Sequence, residues 1–295
     1  MDLRAQQQVR NKSMPAQAGI GLRSPHHERV LERRPSVGWL EVHSENFFSL
    51  GGAHLNQLER LRAHYPLSFH GVGLSLGSAD AIDQTHLQNL KRIVTCFEPE
   101  LVSEHLSWSS VDGRFANDLL PMPYTAEAVR HLAGRIDEVQ NELGRQILVE
   151  NVSSYVQFAD SHLSESEFVA AVVEEAGCAL LLDLNNVYVA ACNHRFDPYA
   201  YLAAMPEAAI QEIHLAGHTR VPFEEGELLI DTHNAHVCDD VWGLYAAAIQ
   251  RLGDIPTLIE WDSDLPTLEV LSAEAHQADR VRRLAQRDSG EHRVA

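Results

Sequence analysis

The stretch SESEFVAAVVEEAGCALLLDL (164–184) contains the unit from which the fold is read. Ser164 with Glu167 three residues on is a capping-box pattern, and Gly177 supplies the residue type that ends a helix in the left-handed conformation. The apolar run that follows, CALLLDL (178–184), has the length and composition of a buried strand and closes on one carboxylate, Asp183.

The same alternation extends in both directions. Apolar runs bounded by turn residues recur at AGIGL (18–22), VGWLEVH (37–43), LSFHGV (67–72), ELVSEHL (100–106) and QILVENV (146–152), and beyond the opening stretch at IQEIHLAG (210–217) and TLIEWD (257–262). Between or after them, helical patterns occupy 53–65, 125–144, 197–209, 239–253 and 268–287. Eight strands alternating with helices predict an α/β fold, a single (β/α)8 TIM barrel over residues 18–287. A disordered segment is expected over 1–17 and a frayed tail over 288–295. The competing architecture is a doubly wound open sheet. Its nucleotide-binding form has no support, because no G-x-G-x-x-G follows a strand and SFHGVGLSLGS (68–78) fits neither that pattern nor a P-loop.

Composition narrows the partners. Forty-two Asp and Glu against 23 Lys and Arg give a net charge of -19, a field that repels nucleic acid and anionic membrane surfaces. Cys96, Cys178, Cys192 and Cys238 form no C-x-x-C pair, as expected of free thiols in a cytoplasmic protein. No apolar run reaches the ~20 residues of a membrane-spanning helix.

The unusual component is 17 histidines, several of which fall with carboxylates at the ends of strand runs. The series is His43 with Glu45 and Asn46, His70, Glu104 with His105, Glu150 with Asn151, Asp183 with Asn186, His214 with His218, and Glu260 with Asp262. In barrel enzymes the C-terminal strand ends form the open catalytic face, so these residues are expected to share one site. Carboxylates carried into low dielectric need a compensating charge, and with few cationic side chains nearby, metal ions are the economical source. Strand alternation allows only one of two neighbours to face inward; the reading prefers Glu104 to His105 and Glu150 to Asn151, with Asn151 and Asn186 as weaker ligands. Asp231 and His233 form a D-x-H pair in the loop after the seventh strand and could also accept protons; His236 reads as a surface residue. Nine principal candidates, His43, His70, Glu104, Glu150, Asp183, His214, Asp231, His233 and Glu260, exceed what one catalytic ion uses. More than one metal is expected, and imidazole with carboxylate suits iron, manganese or zinc.

GIGLR, EVHSENF, SFHGVGLSLGS, SEHLSW, DLLPMPYT, LVENVSSYV, LLLDLNNVYVAACNH, EIHLAGH, IDTH and LIEWD together resemble the DUF692 (UPF0276) family over about residues 18–275. That family comprises the multinuclear non-heme iron-dependent oxidative enzymes, which include relatives in methanobactin and bufferin biosynthesis. The resemblance implies a xylose-isomerase-like barrel holding two or three mixed-valent irons. It further implies dioxygen-dependent conversion of cysteines in a ribosomally made peptide to oxazolone-thioamide or thiooxazole, with a small partner protein that presents the leader. Carried over, ligand roles fall on His70, Glu104, Glu150, Asp183, His214, Asp231, His233 and Glu260, with His43, Asn151 and Asn186 secondary. One departure lies in IDTHNAHV, where Asn234 and His236 replace the acidic residue and proline of the family pattern. The residues leave two rival functions: a divalent-metal isomerase or phosphodiester hydrolase, and a noncatalytic metal-binding protein.

Overall fold

The computed structural model describes residues 14–292, Glu225 excepted. The expectation of a disordered start over 1–17 therefore falls largely outside the described residues, as do residues 293–295 of the expected tail, whereas 288–292 continue the last helix. Its strands are β1 (Gly19–Gly21), β2 (Leu40–His43), β3 (Leu67–His70), β4 (Leu101–His105), β5 (Trp108–Val111), β6 (Arg114–Leu120), β7 (Leu148–Glu150), β8 (Ala179–Asp183), β9 (Ile210–Leu215), β10 (Thr219–Phe223), β11 (Gly226–Ile230) and β12 (Thr257–Ile259). The α-helices are α1 (His27–Arg33), α2 (Ala53–Arg62), α3 (Gln84–Phe97), α4 (Ala126–Leu143), α5 (Glu165–Ala176), α6 (Leu184–His194), α7 (Pro198–Ala204), α8 (Asp239–Leu252) and α9 (Leu268–His292).

Each of the eight apolar runs supplies one strand of a closed barrel in the order β1-β12-β9-β8-β7-β4-β3-β2. Closure is made by β1, which pairs in parallel with β12 on one side and β2 on the other, with Ile20 opposite both Ile259 and Leu40. This excludes an open doubly wound sheet. The local signals act as read: Ser164 and Glu167 form the reciprocal capping box of α5, and Gly177 ends that helix in the left-handed region at φ 61°.

Alternation along the strands sorts side chains into two layers. Outward residues such as Leu40, Val42, Phe69, Val102 and Val149 join the helices in the main apolar core. Inward residues at the closed end, Trp39, Leu101, Leu148, Ala179, Leu181 and Leu258, pack with Met14 in a separate apolar plug. Two residues further along the same inward rows, the side chains become polar, so one strand parity carries both the plug and the chemistry.

Two antiparallel hairpins, β5–β6 and β10–β11, stand outside the barrel on loops that follow β4 and β9. The sequence pattern assigns no strand to either. Most of β6 and β10 is exposed, apolar residues such as Phe115 and Phe223 included, so neither strand has a buried face to impose a period-two apolar pattern.

Candidate metal centre at the barrel mouth

The inward parity brings Glu41 and His43 from β2, Ser68 and His70 from β3, Ser103 and His105 from β4, Glu150 from β7, Asp183 from β8, Glu212 and His214 from β9, and Glu260 after β12 toward one axis. Four overlapping groups in this region could each hold a metal ion: His70–His105–Glu150, Glu150–Asp183–His214, Glu41–His214–Glu260 and His43–Glu260–Asp262. Within each, one donor atom per residue lies within 4.8 Å of the others. Glu150 and Glu260 each belong to two groups, the arrangement by which a carboxylate can bridge adjacent ions, and His214 is likewise a member of two. Above them opens a cavity of about 630 Å³, roofed by residues 115–119 of β6 and lined by His43, His70, His105, Glu150, Asn186, Asp231, His233 and Glu260.

Electrostatics at the centre are set by burial. The His105 Nδ1–H donates to the Gly71 carbonyl at 3.0 Å, and burial depresses the ring to about 4, so its Nε2 is a bare lone pair at neutral pH. That nitrogen lies 3.3 Å from Glu150 Oε2, an oxygen with no hydrogen-bond partner. His70, whose Nδ1 is held by Ser103 Oγ at 2.8 Å and whose acidity is also raised by burial, aims its Nε2 at the same oxygen from 3.3 Å. Burial lifts Glu150 well above the ordinary carboxylate range, and lifts Asp183 to about 7. Asp183 Oδ2 and Asn186 Oδ1 are likewise buried without partners. Lone pairs converging on a dry point repel one another unless a cation lies between them.

Toward the other side the carboxylates are compensated by protein cations. Burial opposes charge on His214, but Glu41 at 3.2 Å from Nε2 and Glu260 at 3.1 Å from Nδ1 outweigh it and hold the ring well above its usual value. Glu260, for which burial works upward, is held well below the carboxylate range by His233 and His214. Arg23 is buried and donates from Nε to Asp262 Oδ1 at 2.6 Å, with a second nitrogen 3.4 Å from Glu260 Oε1.

Asp231 and His233 enter from the loop after β11. His233 Nε2 lies 2.7 Å from Asp231 Oδ1, and its Nδ1 lies 3.1 Å from Asp262 Oδ2 and 3.4 Å from Glu260 Oε2. Extended backbone would place both side chains of a D-x-H pair on one side, but it is not what brings this pair together. His233 sits in the left-handed region at φ 45°, and a turn folds both side chains inward. The loop rests on Gly217, where a Cβ would overlap the Ala235 carbonyl oxygen. Gly217→Ala is therefore expected to displace the Asp231–His233 loop, lowering stability by ~1–3 kcal/mol and activity by ~10-fold or more; thermal unfolding beside turnover checks it, and an unchanged rate would show that the loop position is immaterial.

Nine of the eleven sequence candidates converge here: His43, His70, Glu150, Asp183, Asn186, His214, Asp231, His233 and Glu260. Two do not. Glu104 has the parity of Val102 and points outward, where it accepts from the Leu74 N–H at 3.1 Å and the His105 N–H at 3.1 Å. There it forms a separate group with Glu45 and His86 that could itself hold a metal ion. The inward place belongs to His105, reversing the preference between these neighbours. Asn151 is turned to the backbone of Asp183, donating to its carbonyl and accepting from its N–H, each at 3.0 Å, and so ties β7 to β8. Glu41, Glu212 and Arg23 are not found by the sequence reading, and Asp262, named there with Glu260, is not carried into its ligand set. Glu41 and Glu212 lie inside strands rather than at their ends. A usable signal existed for His105: Ser103 stands two residues before it, as Ser68 stands two before His70, and a small polar residue suits the narrow barrel interior better than the outward apolar layer.

Fold and site define a xylose-isomerase-like TIM barrel with a buried histidine–carboxylate centre at its C-terminal mouth. Endonuclease IV from Thermus thermophilus shares the architecture at TM-score 0.59 and 16% identity, covering 92% of this chain and 99% of that one. A xylose isomerase-like TIM barrel protein from Mycobacterium smegmatis, solved in complex with magnesium, does so at TM-score 0.55 and 15% identity, covering 93% and 98%. Residues 17–283 match the family described as RiPP precursor modification enzyme MbnB/TglH/ChrH, and the chain belongs to that family. A UPF0276 protein of Acaryochloris marina is 52% identical over 262 residues, 89% of this chain and 93% of the relative. Another, of Chromobacterium violaceum, is 50% identical over 269 residues, 91% and 96% respectively. No helix among the described residues is long and apolar enough to cross a membrane.

Proposed function

We propose that this chain is a cytoplasmic multinuclear non-heme iron enzyme that uses dioxygen to oxidise cysteine in a ribosomally synthesised precursor peptide, forming an oxazolone-thioamide or thiooxazole. The observation that carries the reading is the facing of unprotonated His70 and His105 nitrogens against Glu150 Oε2 in a buried site, three donor atoms that a metal cation would satisfy together. Family membership adds the class of substrate.

The donor set fits two or three ions through the shared members Glu150, His214 and Glu260. Mixed imidazole and carboxylate without thiolate suits iron, and when bound it would supply sites for the substrate thiolate and dioxygen together with the oxidising power to remove hydrogen from the cysteine Cβ. The protein's own contribution begins with orientation. The Gly71 carbonyl fixes the tautomer of His105 and Ser103 anchors His70, so both present Nε2 inward. Arg23 limits the negative charge around Glu260 and Asp262. Asp231, at the cavity wall with His233 Nε2 2.7 Å from its Oδ1, is placed to accept the proton that leaves as the adjacent amide closes on the cysteine carbon, and His233 holds it in position. The β5–β6 hairpin restricts water over the centre. A small partner protein holding the leader would deliver the peptide to this mouth.

Anaerobic purification, metal analysis and Mössbauer spectroscopy, followed by oxygen uptake with a cysteine peptide, test the reading. The expected result is two or more spin-coupled irons per chain and peptide-dependent oxygen consumption. A single stoichiometric zinc with no peptide turnover would overturn it in favour of a hydrolase or isomerase.

A further inference from the structure

A second cavity of about 510 Å³ lies beside the mouth, within the size range of small-ligand sites. The segment after β7 forms the wall between the two. Val152, Ser153 and Tyr155 line the mouth, whereas Ser154, Val156, Gln157 and Phe158 line the second cavity. Tyr124, Phe196 and Tyr201 supply aromatic faces among serines and other polar groups in its lining, and two of the exposed large apolar residues of the protein, Val156 and Phe158, also line it.

Glu165, the first residue of α5, contributes a carboxylate held between two phenols. It accepts from Tyr201 OH at 3.0 Å and from Tyr124 OH at 3.2 Å. Asp197 also lines the cavity, and among the described residues no lysine or arginine does. Aromatic faces around a carboxylate, without a resident cation, are complementary to an ammonium or guanidinium group on an aliphatic stem. The protein's charge of -19 favours the same ligand.

We propose that this cavity receives a lysine or arginine side chain of the precursor peptide, whose cysteine lies across the shared wall in the mouth. The assignment to a peptide rests on the function proposed above and on that wall. Its Ser153 donates to Asp231 Oδ2 at 3.3 Å and its Tyr155 hydroxyl accepts from the Asp231 N–H at 2.9 Å, so a side chain seated on one face bears directly on the Asp231 loop at the other. Burial raises Glu165 to about 7 against the two tyrosine hydrogen bonds. Tyr124, Tyr201, His194 and Asp197 are the other titratable groups lining the cavity. Cation binding draws on the ionised carboxylate, so affinity should rise by up to ~10-fold between pH 6 and 8.

The first test uses calorimetry with Nα-acetyl-lysine and Nα-acetyl-arginine N-methylamides against the uncharged norleucine analogue, on enzyme with its metals and after chelation. Binding of the cationic probes at least ~5-fold tighter than norleucine, lost in Glu165→Gln and in the exposed rim variant Val156→Arg, is expected. Equal binding of norleucine, or undiminished binding in both variants, overturns the site. The second test compares cysteine peptides carrying lysine or norleucine three to six residues from the cysteine. Lysine should lower KM at least ~5-fold in the wild type and not in Glu165→Gln. Probe binding without a peptide effect would overturn the peptide assignment and leave a site for a free amine. Because the probe test needs neither iron nor oxygen, failure of the oxidase reading leaves it standing, and its own failure leaves the oxidase reading untouched. If no oxygen is consumed, the peptide comparison is read by direct binding.

Discussion

Glu150→Gln is expected to remove at least one metal ion per chain and to lower peptide-dependent oxygen uptake by ~10³-fold or more, while the metal-free protein stays folded. Glu150 is the donor shared between the His70–His105 group and the Asp183–His214 group, so its loss weakens both. The stability arm of the prediction separates a metal ligand from a structural acid. Burial holds Glu150 well above the carboxylate range, with Asp183 and Glu260 adding to the effect and His214 opposing it. An acid whose folded-state value is raised destabilises the fold at every pH above its unfolded value, where the unfolded chain ionises freely and the folded one resists. Replacing it by the neutral amide should leave the unfolding midpoint of the metal-free protein at neutral pH unchanged or higher. The holoenzyme midpoint should fall, because bound metal no longer stabilises the native state. A drop in the metal-free midpoint, or retention of full metal content, would refute the assignment.

The second large effect concerns two neighbours whose roles follow from strand parity. His105→Ala is expected to weaken metal binding by ~10–100-fold, and activity with it, since it deletes an inward donor. Glu104→Gln should retain metal at the barrel axis and shift stability by no more than ~1–3 kcal/mol. The amide keeps only one of the two oxygens that accept the Leu74 and His105 N–H groups, while it removes a carboxylate that burial and Glu45 raise to about 7. Metal content and thermal unfolding of the two variants discriminate sharply. Loss of the axial metals in Glu104→Gln with retention in His105→Ala would restore the order preferred from sequence. The Glu104 effect has a further route, since Gly71 also supplies the carbonyl that orients His105, and a Cβ at Gly71 would overlap Glu104 Oε1.

These variants mark where sequence reading succeeded and where it could not. Asp183 and Asn186 were legible because the chain turns into α6 straight after β8, and the Asn186 N–H bonds Asp183 Oδ1 at 2.6 Å, a local cap written in consecutive residues. His70, His214 and Glu260 were legible as polar ends of apolar runs. Glu41 and Glu212 were not, although both are fully buried. A carboxylate inside a strand looks, along the chain, like any solvent-facing residue of a half-buried strand. Only the closed barrel reveals that its alternate face is an interior. Arg23 stands just past β1 and meets Asp262, 239 residues away, a pairing created by the junction of the first and last strands.

By itself, then, the order of residues determined the alternating elements, their caps, the number of barrel strands and most of the imidazole and carboxylate donors, because each of these is encoded within a few residues by periodicity and turn chemistry. The tertiary structure decided which of two adjacent side chains faces the axis, which carboxylates are shared between neighbouring groups, and where a second cavity shares a wall with the mouth. Those properties depend on strand register and ring closure, which join residues hundreds of positions apart and leave no mark on the spacing of either partner.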